Sequence, residues 1–208
     1  VWVWNSLKFC VIVATIQLVI TSLAAYAFAR LRFIGRKYGL MSLLVLQVFP
    51  NSMAVAGYYI LIYRFGLVDS SLALIFVLAG GSAYNIWLLK SYIDGLPVEL
   101  DEAAVIDGAG PISLFFKIIM PLLKPTMVTC FILQFMGVWS DFLTPLYLSS
   151  KSKMFPMTMA VYQFFGKNKS YWNYIFADIV LTCIPVVIVY MIGQKYIVGG
   201  MTSGAVKE

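Results

Sequence analysis

Long runs of apolar residues, separated by short polar stretches, make up most of the chain. There are five such runs, which extend over about Leu7–Ala29, Leu40–Tyr63, Leu72–Leu89, Thr126–Leu148 and Tyr174–Ile197. A helix that crosses the hydrocarbon core of a bilayer needs about 20 mostly apolar residues. The pattern therefore predicts an all-α membrane protein, a polytopic bundle of about five transmembrane helices.

Helix-breaking and helix-capping residues refine this prediction. Interruptions stand at Pro50 in the second run, at Gly80-Gly81 in the third and at Pro185 in the fifth. A proline inside a helix removes a backbone hydrogen bond and kinks or breaks the helix. The dipeptide Asn5-Ser6 precedes the first run, and since both residue types are preferred N-caps, we expect the first helix to begin there.

The composition supports a membrane protein and argues against several other classes. Hydrophobic residues make up 62% of the chain and charged residues 12%, whereas a soluble domain usually carries about 25% charged residues. The net charge of +6 comes from basic residues at the ends of apolar runs, which is typical of membrane topology rather than of nucleic-acid binding. The chain contains no histidine, and its three cysteines lie inside apolar runs. We therefore expect no metal site and no disulfide framework.

The basic residues also predict an orientation in the membrane. Four of them follow the first run, at Arg30, Arg32, Arg36 and Lys37. Since cytoplasmic loops carry an excess of Lys and Arg, we place this loop, and by alternation residues 90–125, in the cytoplasm. Residues 149–173 are then expected outside, although their four lysines oppose the rule: Lys151, Lys153, Lys167 and Lys169.

One acidic stretch, ELDEAAVIDGAGP at Glu99–Pro111, differs from its apolar surroundings. Its carboxylates lie at the expected start of a short helix, where the helix dipole favours negative charge. Pro97 suits the first turn of that helix, Gly108 its end, and Pro111 the start of a second helix. We expect a helix–turn–helix along the cytoplasmic membrane surface.

Two interpretations of the acidic helix are open, a contact with lipid and a contact with a protein. Helices that lie on lipid usually carry Lys and Arg on their polar face, and anionic lipids repel carboxylates. Four residues share one face of the helix, at i, i+3, i+4 and i+7, with two alanines at its centre: Leu100, Ala103, Ala104 and Asp107. Such a face favours a groove on a protein partner.

The same residues carry a resemblance to a known family. Glu102-Ala103-Ala104, Gly108, Ile118 and Met120-Pro121 are similar to the pattern EAA-x3-G-x9-I-x-L-P of ABC importer permeases, with Met120 in place of Leu. Further similarity lies at Leu96-Pro97, Ile106–Ala109, Trp139–Leu143 with Pro145, and Gly200–Lys207. The chain resembles the inner-membrane permease subunit of a binding-protein-dependent ABC sugar importer, of the MalG type.

The resemblance implies a type I ABC importer permease fold and a non-catalytic transport subunit. In such permeases the EAA helix couples to a separate ATPase, and the implied coupling residues are Glu102, Ala103, Ala104, Asp107, Gly108, Ile118 and Pro121. Ala103 and Ala104 are expected on the docking face, and Glu102 offers a carboxylate to a basic residue of the ATPase. ATP and magnesium are expected on that partner, because the sequence contains no G-x-x-x-x-G-K-[ST] loop.

The resemblance also implies partners and a location. We expect a second, related but different permease, two cytoplasmic ATPases, an extracytoplasmic binding protein and a sugar substrate, in the inner membrane of a bacterium or archaeon. Residues 1–208 are expected to form one permease domain with a coupling loop at residues 91–125. Since permeases of this type commonly have six spans, we expect that an N-terminal helix is missing.

Polar residues within or near the apolar runs are candidates for the substrate path. Aromatic rings beside polar groups suit the faces and hydroxyls of a sugar, and the candidates are Asn51, Tyr84, Asn85 and Asp141. Three glutamines, Gln17, Gln47 and Gln134, are interpreted as hydrogen-bonding links between helices.

Two alternative classes remain open from the residues alone. A secondary transporter or ion channel, without an ATPase partner, would be favoured by inverted repeats or charged pairs in the spans, and we find neither in the sequence. An intramembrane enzyme would need a nucleophile with a base, or a metal cluster, and no histidine is available. The sequence does not identify the sugar.

Overall fold

The computed structural model describes residues 1–80, 82–165 and 171–202, without the side chains of Asn51 and of residues 197–202. Within these residues all regular elements are helices: α1 (Trp2–Arg30), α2 (Arg36–Gln47), α3 (Asn51–Arg64), α4 (Ser71–Leu78), α5 (Ala83–Asp94), α6 (Glu99–Ile106), α7 (Pro111–Leu114), α8 (Met120–Ser140), α9 (Leu143–Leu148), α10 (Met157–Ala160) and α11 (Trp172–Thr202). A π-helical turn, Phe115–Ile119, joins α7 to α8, and 3-10 turns lie at Ser152–Met154 and Val161–Phe164. The predicted all-α membrane class is confirmed.

The described helices account for the predicted number of spans. Three are long and apolar enough to cross a membrane: Trp2–Arg30, Pro111–Ser140 and Trp172–Tyr196. Two helix pairs, Arg36–Gln47 with Ser52–Arg64 and Ser71–Leu78 with Ala83–Asp94, bring the number to five if each pair is one span. The breaks within these pairs lie at Pro50 and at Gly80, where the sequence predicts them. Gly81 lies outside the described residues.

The predicted cap of the first helix is wrong. α1 begins at Trp2, so Asn5 and Ser6 lie inside it. The Asn5 side chain donates hydrogen bonds to the carbonyls of Lys153 at 2.8 Å and Phe155 at 3.2 Å. The Ser6 hydroxyl accepts one from the backbone N–H of Met157 at 2.7 Å. The two side chains therefore bind a distant loop instead of their own helix end.

The fourth span also differs from its predicted limits of Thr126–Leu148. One helical stretch runs from Pro111 to Ser140, so the second helix of the predicted surface pair is the beginning of this span. Pro121 does not end it: its ring would clash with the carbonyl of Lys117 in a regular helix, and Lys117 lies in the π-helical turn. The span ends at Ser140, and the Asp141 carboxylate that follows accepts the N–H of Thr144 in the first turn of α9 at 3.1 Å.

Contacts divide the chain into two compact units. The first unit comprises the described residues of Val1–Gln17, Phe49–Gly80 and Ile132–Ile192. The second unit comprises those of Leu18–Val48, Gly81–Phe131 and Gly193–Glu208.

Side-chain hydrogen bonds to the backbone hold the first unit together. The Trp2 indole donates to the carbonyl of Ser152 at 2.9 Å, and the Trp139 indole donates to that of Thr182 at 3.1 Å. The Gln17 amide donates to the carbonyl of Gly80 at 2.7 Å. Gly80 follows α4, where a carbonyl is left without a helical partner. The interpretation of Gln17 as a link between helices is confirmed.

The second unit has a hydrophobic core to which α1, α2, α5, α6, α7, the π-helical turn and α8 contribute. Its buried members are Ala25, Tyr26, Ala29, Leu40, Ile86, Leu88, Leu89, Ile93, Ala104, Leu114, Phe115, Ile119, Leu123, Met127 and Cys130. Gln47 adds a polar link, since its amide oxygen accepts the N–H of Tyr84 at 3.1 Å. This core positions the acidic helix α6.

Candidate functional site

The acidic stretch forms the predicted short helix, α6, which spans Glu99–Ile106. A turn precedes it, in which the N–H of Leu100 donates to the carbonyl of Pro97 at 3.3 Å and that of Asp101 to Val98 at 2.9 Å. Three carboxylates lie in the first turn, where the unpaired N–H groups give the helix end a partial positive charge. The local sequence therefore accounts for both the start and the charge of α6.

Gly108 ends α6 in the way that the sequence predicts. Its φ is 82°, a left-handed conformation that favours glycine because no Cβ is present. The N–H of Gly108 donates to the carbonyl of Val105 at 3.0 Å, and that of Ala109 to Ala104 at 2.9 Å. These two bonds form a Schellman motif, which satisfies the last carbonyls of the helix. A Cβ at Gly108 would meet no atom within 4 Å, so only the backbone conformation selects glycine.

One side of α6 is exposed and carries both charge and apolar area. Glu102, Ala103 and Asp107 are exposed, as predicted for coupling residues. Beside them, Val105 is 61% exposed and Ile106 is 85% exposed. Exposed apolar side chains next to charges are typical of a surface that binds a protein.

A groove extends this surface beyond the end of α6. It has a volume of about 520 Å³ and is lined by Gly110, Pro111, Ile112, Ser113, Phe116 and Lys117. Ile112 is 76% exposed and Phe116 is 53% exposed. The sequence alone does not indicate Val105, Ile106 and Ile112 as site residues. They are apolar side chains that face away from the core, and this is recognisable only when the position of the core is known.

The prediction that Ala104 lies on a docking face is wrong. Ala104 is 5% exposed and packs in the core of the second unit, so it is not available to a partner. Consecutive residues of an α-helix are about 100° apart, and Ala103 points to the exposed side while Ala104 points inward. Ile118 is partly buried against the same core, and Pro121 is exposed.

Two side chains of α1 fix α6 and its flanks. The Arg30 guanidinium forms an ion pair with the Asp101 carboxylate, and its Nη2 donates to the carbonyl of Leu96 at 3.1 Å. The Tyr26 hydroxyl donates to the carbonyl of Pro111 at 3.4 Å. From the sequence, Arg30 is predicted only to contribute to the orientation of the chain in the membrane. No local pattern indicates its partner, which lies 71 positions away.

The four candidates for a substrate path divide between the two units. Tyr84 belongs to the second unit and is 43% exposed, with its ring centroid 6.2 Å from that of the exposed Trp87. Asn85 is 4% exposed, so this conformation does not offer its side chain to a solute. Asp141, in the first unit, is partly exposed, and its carboxylate accepts the N–H of Thr144 in α9. The side chain of Asn51 lies outside what the structure describes.

Among the described residues, no group of three His, Cys, Asp or Glu side chains could hold a metal ion. The arrangement around α6 offers carboxylates, apolar side chains and a groove, which together suit contact with a protein surface.

The chain matches the family described as "Binding-protein-dependent transport system inner membrane component" over residues 17–203. It is 32% identical over 212 residues to the maltose/maltodextrin transport system permease protein MalG of Vibrio vulnificus (strain YJ016), covering 99% of this chain and 72% of that protein. It is also 32% identical over 208 residues to the maltodextrin transport system permease protein MdxG of Bacillus subtilis (strain 168), covering 99% and 75%.

Solved structures share the fold. A chain of a bacterial ABC transporter involved in the import of alginate matches with a TM-score of 0.82 and 23% identity, over 94% of this chain and 74% of that one. A chain of the MetNI methionine ABC transporter matches with a TM-score of 0.71 and 17% identity, over 96% and 94%.

Proposed function

Because the chain belongs to the family of binding-protein-dependent transport system inner membrane components, we propose that it moves a sugar or oligosaccharide across the membrane as the permease subunit of an ATP-driven importer. The observation that carries the proposal is the family match over residues 17–203, together with similarity to maltodextrin permeases over 99% of this chain. As a member of this family it is a non-catalytic transport subunit, and ATP is hydrolysed on a separate chain.

The proposed substrate class follows from the relatives and from exposed aromatic side chains. The two relatives are named for maltose and maltodextrin transport, so we assign a sugar or oligosaccharide to this chain. The exposed pair of Tyr84 and Trp87 at the start of α5 supports this assignment, because aromatic rings suit the apolar faces of sugars. Asn51 and Asp141 remain candidates for polar contacts along the path.

We assign the coupling contact to the exposed side of α6 and the groove beside it. Glu102 supplies a carboxylate for a charge-assisted hydrogen bond, and Ile106 supplies apolar area that a socket on the ATPase would bury. Gly108 sets the angle at which the chain leaves α6, and Asp107 and Ala103 complete the surface. Lipid contact is less favourable for this surface because its charges are acidic.

The proposed assembly contains a second, related permease, two cytoplasmic ATPases and an extracytoplasmic binding protein. It lies in the inner membrane of a bacterium or archaeon. α11 supports the membrane location, since apolar side chains along it are exposed, among them Val180, Ile188 and Ile192. Such a surface suits lipid or the second permease.

Transport in vesicles tests the proposal. We expect ATP-dependent uptake of a maltodextrin when the chain is reconstituted with its second permease, its ATPase and its binding protein, and no uptake when the ATPase is left out. ATP hydrolysis should also be absent from the purified chain. Uptake that an ion gradient drives in vesicles without the ATPase would favour a secondary transporter instead.

A further inference from the structure

Three contacts join the end of α1 to the segment Leu96–Pro111, which we call the coupling segment and which contains α6. From these contacts we infer that Arg30 is a positioning residue that makes the second half of α1 move together with α6. The inference rests on the proposed coupling role of α6 and adds a second route for the motion, beside the covalent connection through Pro111 into α8.

Arg30 contacts the coupling segment at two separate points. Its Nη2 donates to the carbonyl of Leu96 at 3.1 Å, and its guanidinium pairs with the Asp101 carboxylate. Both side chains of the ion pair are 13% exposed, so water screens their attraction less than at an open surface. The second Asp101 oxygen, Oδ1, is buried and has no hydrogen-bond partner among the described residues. Among the described residues, Arg30 is the cation that pairs with Asp101.

Tyr26 adds the third contact, at the other end of the coupling segment. It lies four residues before Arg30, on the same face of α1. Its hydroxyl donates to the carbonyl of Pro111 at 3.4 Å, and its ring centroid lies 5.1 Å from that of Phe115. One face of α1 thus binds the coupling segment before α6, within its first turn and after its end.

Directional contacts are needed if a movement of α6 is to be passed on to α1. The core side of α6 contributes Ala104, whose methyl group offers only non-directional apolar contact. Hydrogen bonds and an ion pair fix that position, since they weaken steeply with distance and angle. With Ile106 and Glu102 free on the opposite side, a partner can push α6 there while Arg30 holds α1 to it. A transmitted change requires such a contact.

An arginine suits this role better than a lysine. The planar guanidinium donates in two directions from a fixed geometry, whereas a lysine offers one point charge. Arg30→Lys therefore keeps the charge and the topological signal but loses one of the two attachments. Arg36 provides a matched control at the same end of α1. Its Nε and Nη2 donate to the carbonyls of Phe28 at 3.0 Å and Ala29 at 2.7 Å, which are bonds to α1 itself.

The test uses the full complex in vesicles and measures sugar uptake and ATP hydrolysis together. We expect Arg30→Gln to co-purify with the ATPase and to hydrolyse ATP, with uptake per ATP lowered at least about fivefold, the lower end of typical coupling effects. Arg30→Lys should lie between this variant and the unaltered complex. Adding Asp101→Asn to Arg30→Gln should recover part of the ratio, because it removes the unpaired buried charge. Arg36→Gln should leave uptake per ATP unchanged.

A distance measurement separates positioning from a merely structural role. Spin labels at Val98 and Leu23 report on the coupling segment and on α1, and both positions are exposed in the second unit. The distance between the labels should stay constant when ATP binds to the complex, and should change when Arg30→Gln is present. The same constant distance and the same uptake per ATP in Arg30→Gln would overturn the inference.

Two further outcomes are decisive. If neither Arg30→Gln nor Arg30→Lys assembles with the ATPase, Arg30 is a structural residue and the inference is overturned. If the unaltered complex takes up no sugar with ATP, the proposed function fails. If the unaltered complex is active and the Arg30 variants have the same uptake per ATP, only the inference about Arg30 fails.

Discussion

At Gly108 a single backbone angle sets where α6 ends and how the chain continues to Pro111. With φ at 82°, any residue with a Cβ meets steric strain of about 1–2 kcal/mol, and a β-branched residue meets more than alanine does. The strain is local, because no neighbouring atom would clash with the new side chain. The surface beside the exposed Asp107 is therefore the part of the molecule that a substitution would displace.

We expect Gly108→Val to reach the membrane in normal amounts but to lose transport and to co-purify poorly with the ATPase. Gly110→Ala is the matched control: Gly110 has a φ of −74°, and open space surrounds its Cβ position. The measurements are sugar uptake and ATPase co-purification for each variant. If both variants lose the same amount of sugar uptake and ATPase co-purification, the segment tolerates no added side chain. The left-handed angle of Gly108 would then not explain the loss.

Glu102 is the second residue whose role can be isolated, because it is exposed and no hydrogen bond or ion pair is recorded for it among the described residues. We expect Glu102→Ala to weaken association with the ATPase by about 1.5–3 kcal/mol if the carboxylate pairs with a basic residue there. Glu102→Gln, which keeps the shape, should show a smaller loss. The measurement is ATPase affinity in detergent at several salt concentrations. Unchanged affinity with tighter lipid binding would favour the lipid interpretation of α6.

At the scale of the elements, local signals in the sequence account for the ends of α6 and for the breaks between helices. Pro50, Gly80 and Gly108 act through their own backbone, so their effects are visible in the sequence. The errors concern interactions over long distances along the chain. Ala104 is buried in a core to which the distant α1 also contributes, and Asn5 binds carbonyls about 150 positions away. No local pattern contains those partners.

The fourth span shows a different reason for error. Pro121 and Pro125 are ordinary signals for a helix boundary, yet the helix continues through both. The π-helical turn before α8 accommodates the first of them, and an interruption of this kind depends on packing against the core. The candidate site was therefore predictable in its chemistry and its position, but not in which of its residues face a partner.

Asn5 allows a test of how α1 holds the loop after α9. The side chain is 6% exposed and its two hydrogen bonds go to backbone carbonyls. We expect Asn5→Ala to lower the free energy of unfolding by about 1–3 kcal/mol, because buried carbonyls lose their donor. Faster hydrogen exchange at residues 152–157 should accompany the change.

Thr15→Ala is the control for this substitution. Thr15 is exposed, and among the described residues its hydroxyl donates only to the carbonyl of Val11 in its own helix, at 2.7 Å. We expect it to leave both the unfolding transition and the exchange rates close to those of the unaltered chain. An equal effect of the two substitutions would show that α1 is sensitive to any polar loss, and that the loop contacts of Asn5 are not responsible.

At the scale of the whole molecule, family membership establishes a membrane transport subunit, but the orientation of the chain still rests on its charges. Two basic residues at the end of α1 and just after it also make contacts within the fold. Arg30 pairs with Asp101, and Arg36 donates to carbonyls of α1. The charge signal of these residues and the contact of Arg30 with the coupling segment therefore point to the same side. If α6 meets a cytoplasmic ATPase, Arg30 must be cytoplasmic as well.

Labelling of single cysteines from the two membrane faces tests this orientation. Cys10 and Cys130 are buried and Cys183 is exposed, so all three are first replaced by alanine. We expect a cysteine at Ala103 to react with an impermeant reagent only when the cytoplasmic face is opened, and a cysteine at Lys153 to react from outside, because both positions are exposed on loops or short helices. Ala104→Cys is the matched control, since its burial should protect it from either face. Reaction of position 103 from the outside would reverse the orientation, and α6 could then not contact a cytoplasmic ATPase.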